Sequence, residues 1–481
     1  VTSTTAAVAF DEEHDTFRNE LASVAPDGRR RWIYARQPSG RYYRARTILS
    51  WFLLAFLLGA PFIKVNGLPL MMLNVLERKF VFFGILFWPQ DFYLVVLIAL
   101  TVLVTLVLST AAIGRVWCGW LCPQTIFMEM LFRKIEYAIE GTAAQQLRRN
   151  RGPWTGNRVL RTGAKHAIFF ALSFLIANVF LSYIIGADVL WRIVTDPPSQ
   201  HLGGLIAITV FSLVFFAVFA RFREQACVLA CPYGRVMSSI IDRHTVTVTY
   251  DAVRGEPRGK LVAAAPAGQA PARGDCIDCH QCVTVCPTGI DIRNGIQLEC
   301  VNCTACIDAC DDVMTRVQKP TGLIRLTSHE AVLTGRLRWL TGRVMAYGAV
   351  WLVLVSTVTT LVASRPPLDV LVLRQPGTMF ATLPNGDVSN FYNVQVFNRT
   401  PDTVTFDISV IEPAGATVAP LSLQPSVESH ALVEGRLLLT MPKALAVGPG
   451  TSVRLRVRAH GETVQQVDTF FVGPPSSPGA H

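Results

Sequence analysis

Five stretches of this chain run without a Lys, Arg, Asp or Glu: Thr47–Ile63, Phe92–Ile113, Ala167–Ala187, Leu202–Ala220 and Val344–Ala363. Each approaches the ~20 apolar residues that a helix needs to cross a bilayer, where every backbone polar group must be satisfied within the segment. Buried helices of a large soluble fold are a poor alternative for five such runs. The composition agrees, because 51% of residues are hydrophobic and 16% charged, too apolar for one ordinary soluble domain. Val1–Arg46 is polar and Arg-rich with no short apolar core near its start, which argues against a cleaved signal peptide.

Lys and Arg in the loops set the expected orientation. Seven arginines lie between Arg29 and Arg46, nine basic residues between Arg115 and Lys165, and fifteen between Arg221 and Arg343, whereas Asp188–His201 holds only Arg192. The N-terminus, residues 1–46, is therefore expected in the cytoplasm and the C-terminus outside. The net charge of +10 is spread over these inner loops and reads as contact with anionic lipid, not nucleic acid. Between the first two spans, Phe80–Trp88 is too short to cross, and an interfacial or partly re-entrant helix anchored by Arg78 and Lys79 is expected there. Residues 47–250 form a membrane domain with four spans, and 251–274, containing the Gly-, Ala- and Pro-rich "RGEPRGKLVAAAPAGQAPAR", reads as a linker. Beyond Ser364, short alternating runs such as Thr403–Ile411 and Ser452–His460 are punctuated by Pro, Gly and Asn. They predict an immunoglobulin-like β-sandwich over 367–476 with a docking or support role.

All twelve cysteines fall between Cys118 and Cys310, on the expected cytoplasmic side, where disulfide stapling is disfavoured. Within 275–320, "CIDCHQCVTVC" and "CVNCTACIDAC" both read C-x2-C-x2-C-x3-C, the spacing of bacterial two-cluster ferredoxins. In that arrangement three thiolates hold one iron–sulfur cube and the fourth crosses to the other. This assigns Cys276, Cys279, Cys282 and Cys310 to one [4Fe–4S] cluster, and Cys300, Cys303, Cys306 and Cys286 to its neighbour. Zinc would prefer paired CxxC units at wider separation. Pro287 follows the first run, but Asp311 follows the second; proline is not a ligand, so the assignment stands. Cys276–His280 does read CxxCH, but both of its cysteines belong to the four-cysteine run, so covalent c-type haem is not expected.

The other four cysteines repeat a different unit. Cys118 and Cys122 end the second span as C-x3-C-P, Cys227 and Cys231 end the fourth in the same way, and Met128 and Met237 lie ten residues after each first cysteine. On a continuous helix an i, i+4 pair shares one face, while Pro123 and Pro232 disfavour helical geometry at Cys122 and Cys231. Buried structural cysteines, a redox-active dithiol and a soft-metal site, with Cu(I) its natural guest, all remain open readings. Met128 and Met237 read as packing residues ahead of ligands. His280 and His244 read as surface or hydrogen-bonding residues, because the cluster sets are already complete.

The Arg-rich N-terminus, the two C-x3-C-P motifs, "IDRHTVTVTYD" with "RGEPRG", the doubled cysteine run and the C-terminal β-domain together resemble the cytochrome c oxidase accessory family called CcoG, FixG or RdxA. The match runs over nearly the whole chain. The resemblance implies a multidomain protein of the bacterial inner membrane, with a cytoplasmic ferredoxin-like domain and a periplasmic β-domain. It also implies cupric reductase activity supplying Cu(I) for assembly of cbb-type oxidase, with a copper transporter or chaperone and oxidase subunits as partners. Copper would then be handled near Cys118, Cys122, Cys227 and Cys231, and a cytoplasmic protein would donate electrons. A homodimer is compatible with this reading. Two alternatives stand beside it: a quinol-linked conduit like the membrane polyferredoxins of nitrate or nitrous oxide respiration, and a non-enzymatic assembly scaffold.

Overall fold

The computed structural model describes residues 22–25, 27–76, 79–260, 273–377, 380–446, 450–459 and 461–474. The chain forms two compact units: Val1–Ile63 with Met71–Arg78 and Phe92–Val358, and Lys64–Leu70 with Lys79–Asp91 and Thr359–His481.

The first unit is built on helices. Among the described residues, four are long and apolar enough to cross a membrane: Pro89–Ile113, Gly156–Ile185, Leu202–Phe222 and Gly342–Ala363. They carry exposed Val102, Leu103, Ile206, Val214, Leu352 and Val353, surface that needs lipid rather than water as its solvent. The expected first span, Thr47–Ile63, is a shorter feature. Its helix starts at Arg41 and stops at Gly59, just before Pro61, leaving an apolar part shorter than the other four. The third helix begins eleven residues before Ala167, at Gly156, because the Thr155 side chain accepts from the Arg158 N–H and caps it.

Two sequence expectations need correction. Phe80–Trp88 is no interfacial helix: Lys79–Phe82 pairs antiparallel with Ile85–Phe87, and Phe83 and Gly84, both at positive φ, make the two-residue turn that suits a hairpin's twist. Arg78 lies outside the described residues. The linker is also less free than its composition suggests. Residues 261–272 lie outside the described residues, but Asp251 caps a short helix at Ala252–Gly255, and the Gly259 N–H donates to the Cys276 carbonyl at 3.1 Å.

Where the helices emerge, the first unit is tied by buried ion pairs. Glu136, on the Arg133–Glu140 helix, meets Arg223 at 2.5 Å and Lys165 at 3.4 Å, and Lys165 also reaches Glu140 at 3.0 Å. Arg133 pairs with Glu129 at 3.0 Å and Arg30 with Glu224 at 2.8 Å. Burial alone would raise the Glu136 carboxyl, but Arg223, Lys165 and Arg133 hold it below the ordinary range. Beneath lies an aromatic core in which Phe132 stacks on Phe219 at 4.7 Å and meets Phe169 edge-on at 4.8 Å.

The second unit carries two antiparallel sheets. One runs Thr417–Pro420, Leu432–Met441, Val388–Asn398, Leu368–Arg374, with Ala381–Thr382 beside Val388–Asn398; the other runs Ser426–Val427, Val404–Glu412, Thr451–Ala459, Glu462–Phe471. Alternate residues Leu368, Val370 and Val372 of one sheet and Val453, Leu455 and Val457 of the other join one buried cluster, as the period-two pattern requires. In the same unit, buried Asp91 pairs with Arg399 at 2.9 Å and with Arg365, fixing the Lys79–Asp91 segment to the start of the β-domain.

Removing one partner of a buried pair strands the other charge, so Glu136→Gln should cost about 3–5 kcal/mol, read as a lower melting temperature of the detergent-solubilised protein. Because the folded-state value of Glu136 is depressed, its contribution is present above the ordinary carboxylate pKa and is lost as pH falls below about 4. The acid loss of stability should therefore be smaller in the Gln variant than in the parent.

Candidate iron–sulfur and thiol centres

The two doubled cysteine runs fold alike. In each, two non-glycine residues adopt left-handed backbone: Asp278 and His280 in the first, Asn302 and Thr304 in the second. Such residues are uncommon, and here they occupy equivalent places between successive cysteines. They turn each run into a tight loop. The loops lead into the short helix Gln281–Thr284 and the longer helix Ala305–Arg316, the latter presenting Cys306 and Cys310 four residues apart on one face. The antiparallel strands Thr247–Tyr250 and Ile324–Thr327 back them, with Val248, Ile307, Met314 and Ile324 buried around Cys276, Cys282 and Cys310.

The thiols group across the two runs. Cys310 lies within electrostatic reach of Cys279 and Cys276, and Cys282 within reach of Cys310 and Cys279. Cys300 feels Cys303 and Cys286, and Cys306 feels Cys303, Cys300 and Cys286, then Cys282 of the other set. A cavity is lined by Cys282, Cys286, Cys300, Cys303 and Cys306 with apolar Val248, Ile290 and Ile292. Burial pushes the Cys282, Cys300 and Cys310 thiols up to about 12, so an empty pocket favours neutral sulfur and a bound cationic centre would supply the charge that keeps thiolate. Among the described residues, no three His, Cys, Asp or Glu side chains are placed to hold a lone metal ion. Two sets of four thiols, with Cys276, Cys282, Cys303 and Cys310 buried and loops wound by left-handed residues, fit a cube with iron at separate corners better than a single ion.

The C-x3-C-P pairs meet against the second of these loops. Trp117–Leu121 and Ala226–Ala230 are π-helical turns, after which Cys122 (ψ 123°) and Cys231 (ψ 112°) are extended and Pro123 and Pro232 each start a new helix. The smooth i, i+4 face is therefore broken at both motifs, for the reason that proline gives. Cys118 feels Cys122 and Cys231; Cys227 feels Cys122, Cys118 and Cys231, with the Thr125 hydroxyl beside it. Burial raises the Cys118 thiol against the pull of Arg115, and raises Cys227 to about 12. Cys118 shares one buried cluster with Val301, Cys303 and Ala305.

Several residues that sequence reasoning passed over make this contact. The Trp120 indole donates to the Asn302 carbonyl at 3.2 Å, the Asn302 amide donates to the Ile113 carbonyl at 3.4 Å, and Arg115 donates to the Leu298 carbonyl. Arg46, 2% exposed, donates to the Gly119 carbonyl at 2.6 Å. Asp308 accepts from the Tyr42 and Tyr43 N–H groups at 3.2 and 2.8 Å, capping the Arg41–Gly59 helix from another element. Gly40 (φ 147°) packs so closely on Asp308 that no side chain fits there. Local patterning signals none of these, since each partner lies far away in sequence. Met128 is buried among Phe127, Phe132 and Phe219, and Met237 is also buried. His280 is partnered by Arg293 at 2.9 Å.

Comparison with known proteins follows the same division. Residues 222–329 match the 4Fe-4S dicluster domain family, 95–140 the 4Fe-4S binding domain family, and 358–474 the IG-like fold at the C-terminus of FixG. Protein RdxA of Cereibacter sphaeroides is 34% identical over 89% of this chain and 92% of its own length. The chain belongs to the FixG/RdxA family. Protein RdxB of the same organism is 32% identical over 92% of this chain and 96% of its own length, and the nitrogen fixation protein FixG of Rhizobium meliloti is 31% identical over 81% of each. This FixG/RdxA-family chain is thus a membrane iron–sulfur electron-transfer protein.

A Cβ at Gly119 would meet the Val301 carbonyl and stand 2.9 Å from the Cys303 nitrogen. Gly119→Ala should therefore cost about 1–3 kcal/mol through overpacking and lower the iron content of the purified protein, although no cysteine is changed. Cys310→Ser should disturb the centre of Cys276, Cys279 and Cys282 and spare the other, as read by EPR of the reduced protein.

Proposed function

We propose that this protein reduces Cu(II) to Cu(I) at the paired C-x3-C-P thiols, for assembly of a cbb-type cytochrome c oxidase. The observation that carries the reading is the convergence of Cys118, Cys122, Cys227 and Cys231 beside the Cys300–Cys306 loop. Cys276, Cys279, Cys282 and Cys310 would hold one [4Fe–4S] cluster and Cys300, Cys303, Cys306 and Cys286 the other; when bound, these supply one-electron transfer. Copper is the substrate. Cu(II) gains one electron, and soft thiolates retain the resulting Cu(I) in preference to harder ions. The four sulfurs are not preset around a lone ion, so uptake draws a subset of them together.

Uptake also displaces protons. Cys118 and Cys227 carry raised thiol pKa values and are neutral when empty, so Cu(I) affinity rises with pH, by ~10-fold per unit for each proton released. Titration with Cu(I) against a competing chelator from about pH 6 to about pH 8 reads this slope.

The same reading counts the Arg41–Gly59 helix as a fifth span, with the N-terminus and cysteine runs in the cytoplasm and the β-domain in the periplasm. The Lys and Arg asymmetry of the loops supports it. An inner-membrane protein so placed would take electrons on one side and offer its β-domain to copper transporters, chaperones or oxidase subunits on the other. Replacing Cys118, Cys122, Cys227 and Cys231 together with Ser tests the function. Iron content should hold, while reduction of Cu(II) to chelatable Cu(I) by the dithionite-reduced protein falls to the uncatalysed rate. Full copper reduction in that variant, or loss of iron with it, would defeat the proposal.

A further inference from the structure

The buried arginines of the first unit fall into two groups. Arg133 pairs with Glu129 at 3.0 Å, Arg223 with Glu136 at 2.5 Å, and Arg293 with Asp278 and Asp291 at 2.5 and 2.6 Å. Arg46 and Arg115 are just as buried, at 2% and 3% exposed, yet among the described residues neither is ion-paired. Each gives an N–H to a carbonyl, Arg46 Nε to Gly119 at 2.6 Å and Arg115 Nη1 to Leu298. Each also keeps a buried nitrogen without a partner, Arg46 Nη2 and Arg115 Nε. A buried cation left uncompensated is costly, so both call for an anion.

Both lie on the second thiol set. Leu298 is two residues before Cys300, and the Gly119 backbone stands directly against Cys303. Burial raises the Cys300 and Cys303 thiols, while Arg115 pulls the first down and Arg46 the second. The acids of this region are engaged elsewhere: Glu129 by Arg133, Asp308 by the Tyr42 and Tyr43 N–H groups. Glu299 lines a cavity that also holds Arg243. Around the first set, cations and acids cancel. Arg293 is shared by two carboxylates, Asp275 beside Cys276 meets Arg254 at 2.5 Å and Lys319 at 3.4 Å, and Asp311 beside Cys310 faces Arg41 at 3.9 Å.

We propose that Arg46 and Arg115 hold the centre of Cys286, Cys300, Cys303 and Cys306 at a higher reduction potential than the centre of Cys276, Cys279, Cys282 and Cys310. Reduction adds one negative charge, which an unbalanced guanidinium stabilises and a neutralised one does not. Exposure of Cys279 works the other way by wetting the first set. Two charges acting through the low dielectric of the interior outweigh water at one sulfur. An electron that enters at the exposed Cys279 edge therefore moves inward: the first centre is oxidised by one electron as the second is reduced, with no proton exchanged. Arg46 and Arg115 are positioning residues for that transfer. The ordering stands without the copper reading, because it is measured with no copper present.

The test is an EPR-monitored redox titration of the full-length protein, with dithionite as reductant and iron counted in every sample. The parent should show two one-electron steps at least ~10-fold apart in equilibrium constant, equivalent to about 59 mV. Arg46→Met and Arg115→Met should each lower the upper step ~10-fold and leave the lower one in place, while Arg46→Lys and Arg115→Lys restore it. Asp278→Asn keeps iron independently of these, since Asn tolerates the left-handed backbone at this position. It removes an acid from the first set and should raise the lower step alone. A single step in the parent, a lower step that moves with Arg46 or Arg115, or an upper step that moves with Asp278 would each overturn the proposal. Lys variants that hold full iron without restoring the upper step would overturn it as well, as the mark of a packing role.

Discussion

Backbone-to-backbone contact between Gly119 and the Val301–Cys303 loop is the constraint on which the rest of the first unit turns. Only a residue without Cβ permits it, and it sets the depth to which the C-x3-C-P turn sinks against the second cysteine loop. Arg46 then fastens the Gly119 carbonyl from one side and Trp120 fastens Asn302 from the other. The result joins the apolar helices to loops wound by left-handed residues. Asp308 extends the same logic, since a residue inside the second cysteine run caps the helix that begins at Arg41.

Charge follows from this packing. Thiol sets in an apolar interior resist ionisation, as the raised values of Cys227, Cys282, Cys300 and Cys310 show. Two buried arginines oppose that trend locally: Arg115 acts on both Cys118 and Cys300, and Arg46 acts on Cys303. One guanidinium thus serves a thiol of each neighbouring site. A positive charge shared in this way favours the anionic metal–thiolate state on both sides, and links the sites electrostatically as well as sterically.

What could be read in the sequence was what is encoded locally. The spacing of Cys276 to Cys286 and of Cys300 to Cys310 expresses a loop geometry set within eleven residues, and the crossed grouping of thiols follows from the doubling. Period-two runs in the C-terminal third gave the β-domain for the same reason. Phe80–Trp88 misled because its length and hydrophobicity say nothing of the Phe83–Gly84 turn, and Phe is an unusual host for positive φ. The expected bounds Thr47–Ile63 overran the helix because charge-free length was counted past Gly59, where the helix ends. Arg46, Arg115, Gly119 and Asp308 escaped notice because their partners are long-range: Arg115 meets Leu298 across 183 positions and Tyr43 meets Asp308 across 265.

The central claim is that the four C-x3-C-P thiols, poised against the Cys300–Cys306 loop, are where copper is held once reduced. Copper-edge X-ray absorption on the full-length protein, loaded anaerobically with one equivalent of Cu(I), addresses it directly. The account predicts a first coordination shell of sulfur alone. A shell of nitrogen or oxygen ligands would contradict it, since it would place the copper away from all four of these cysteines.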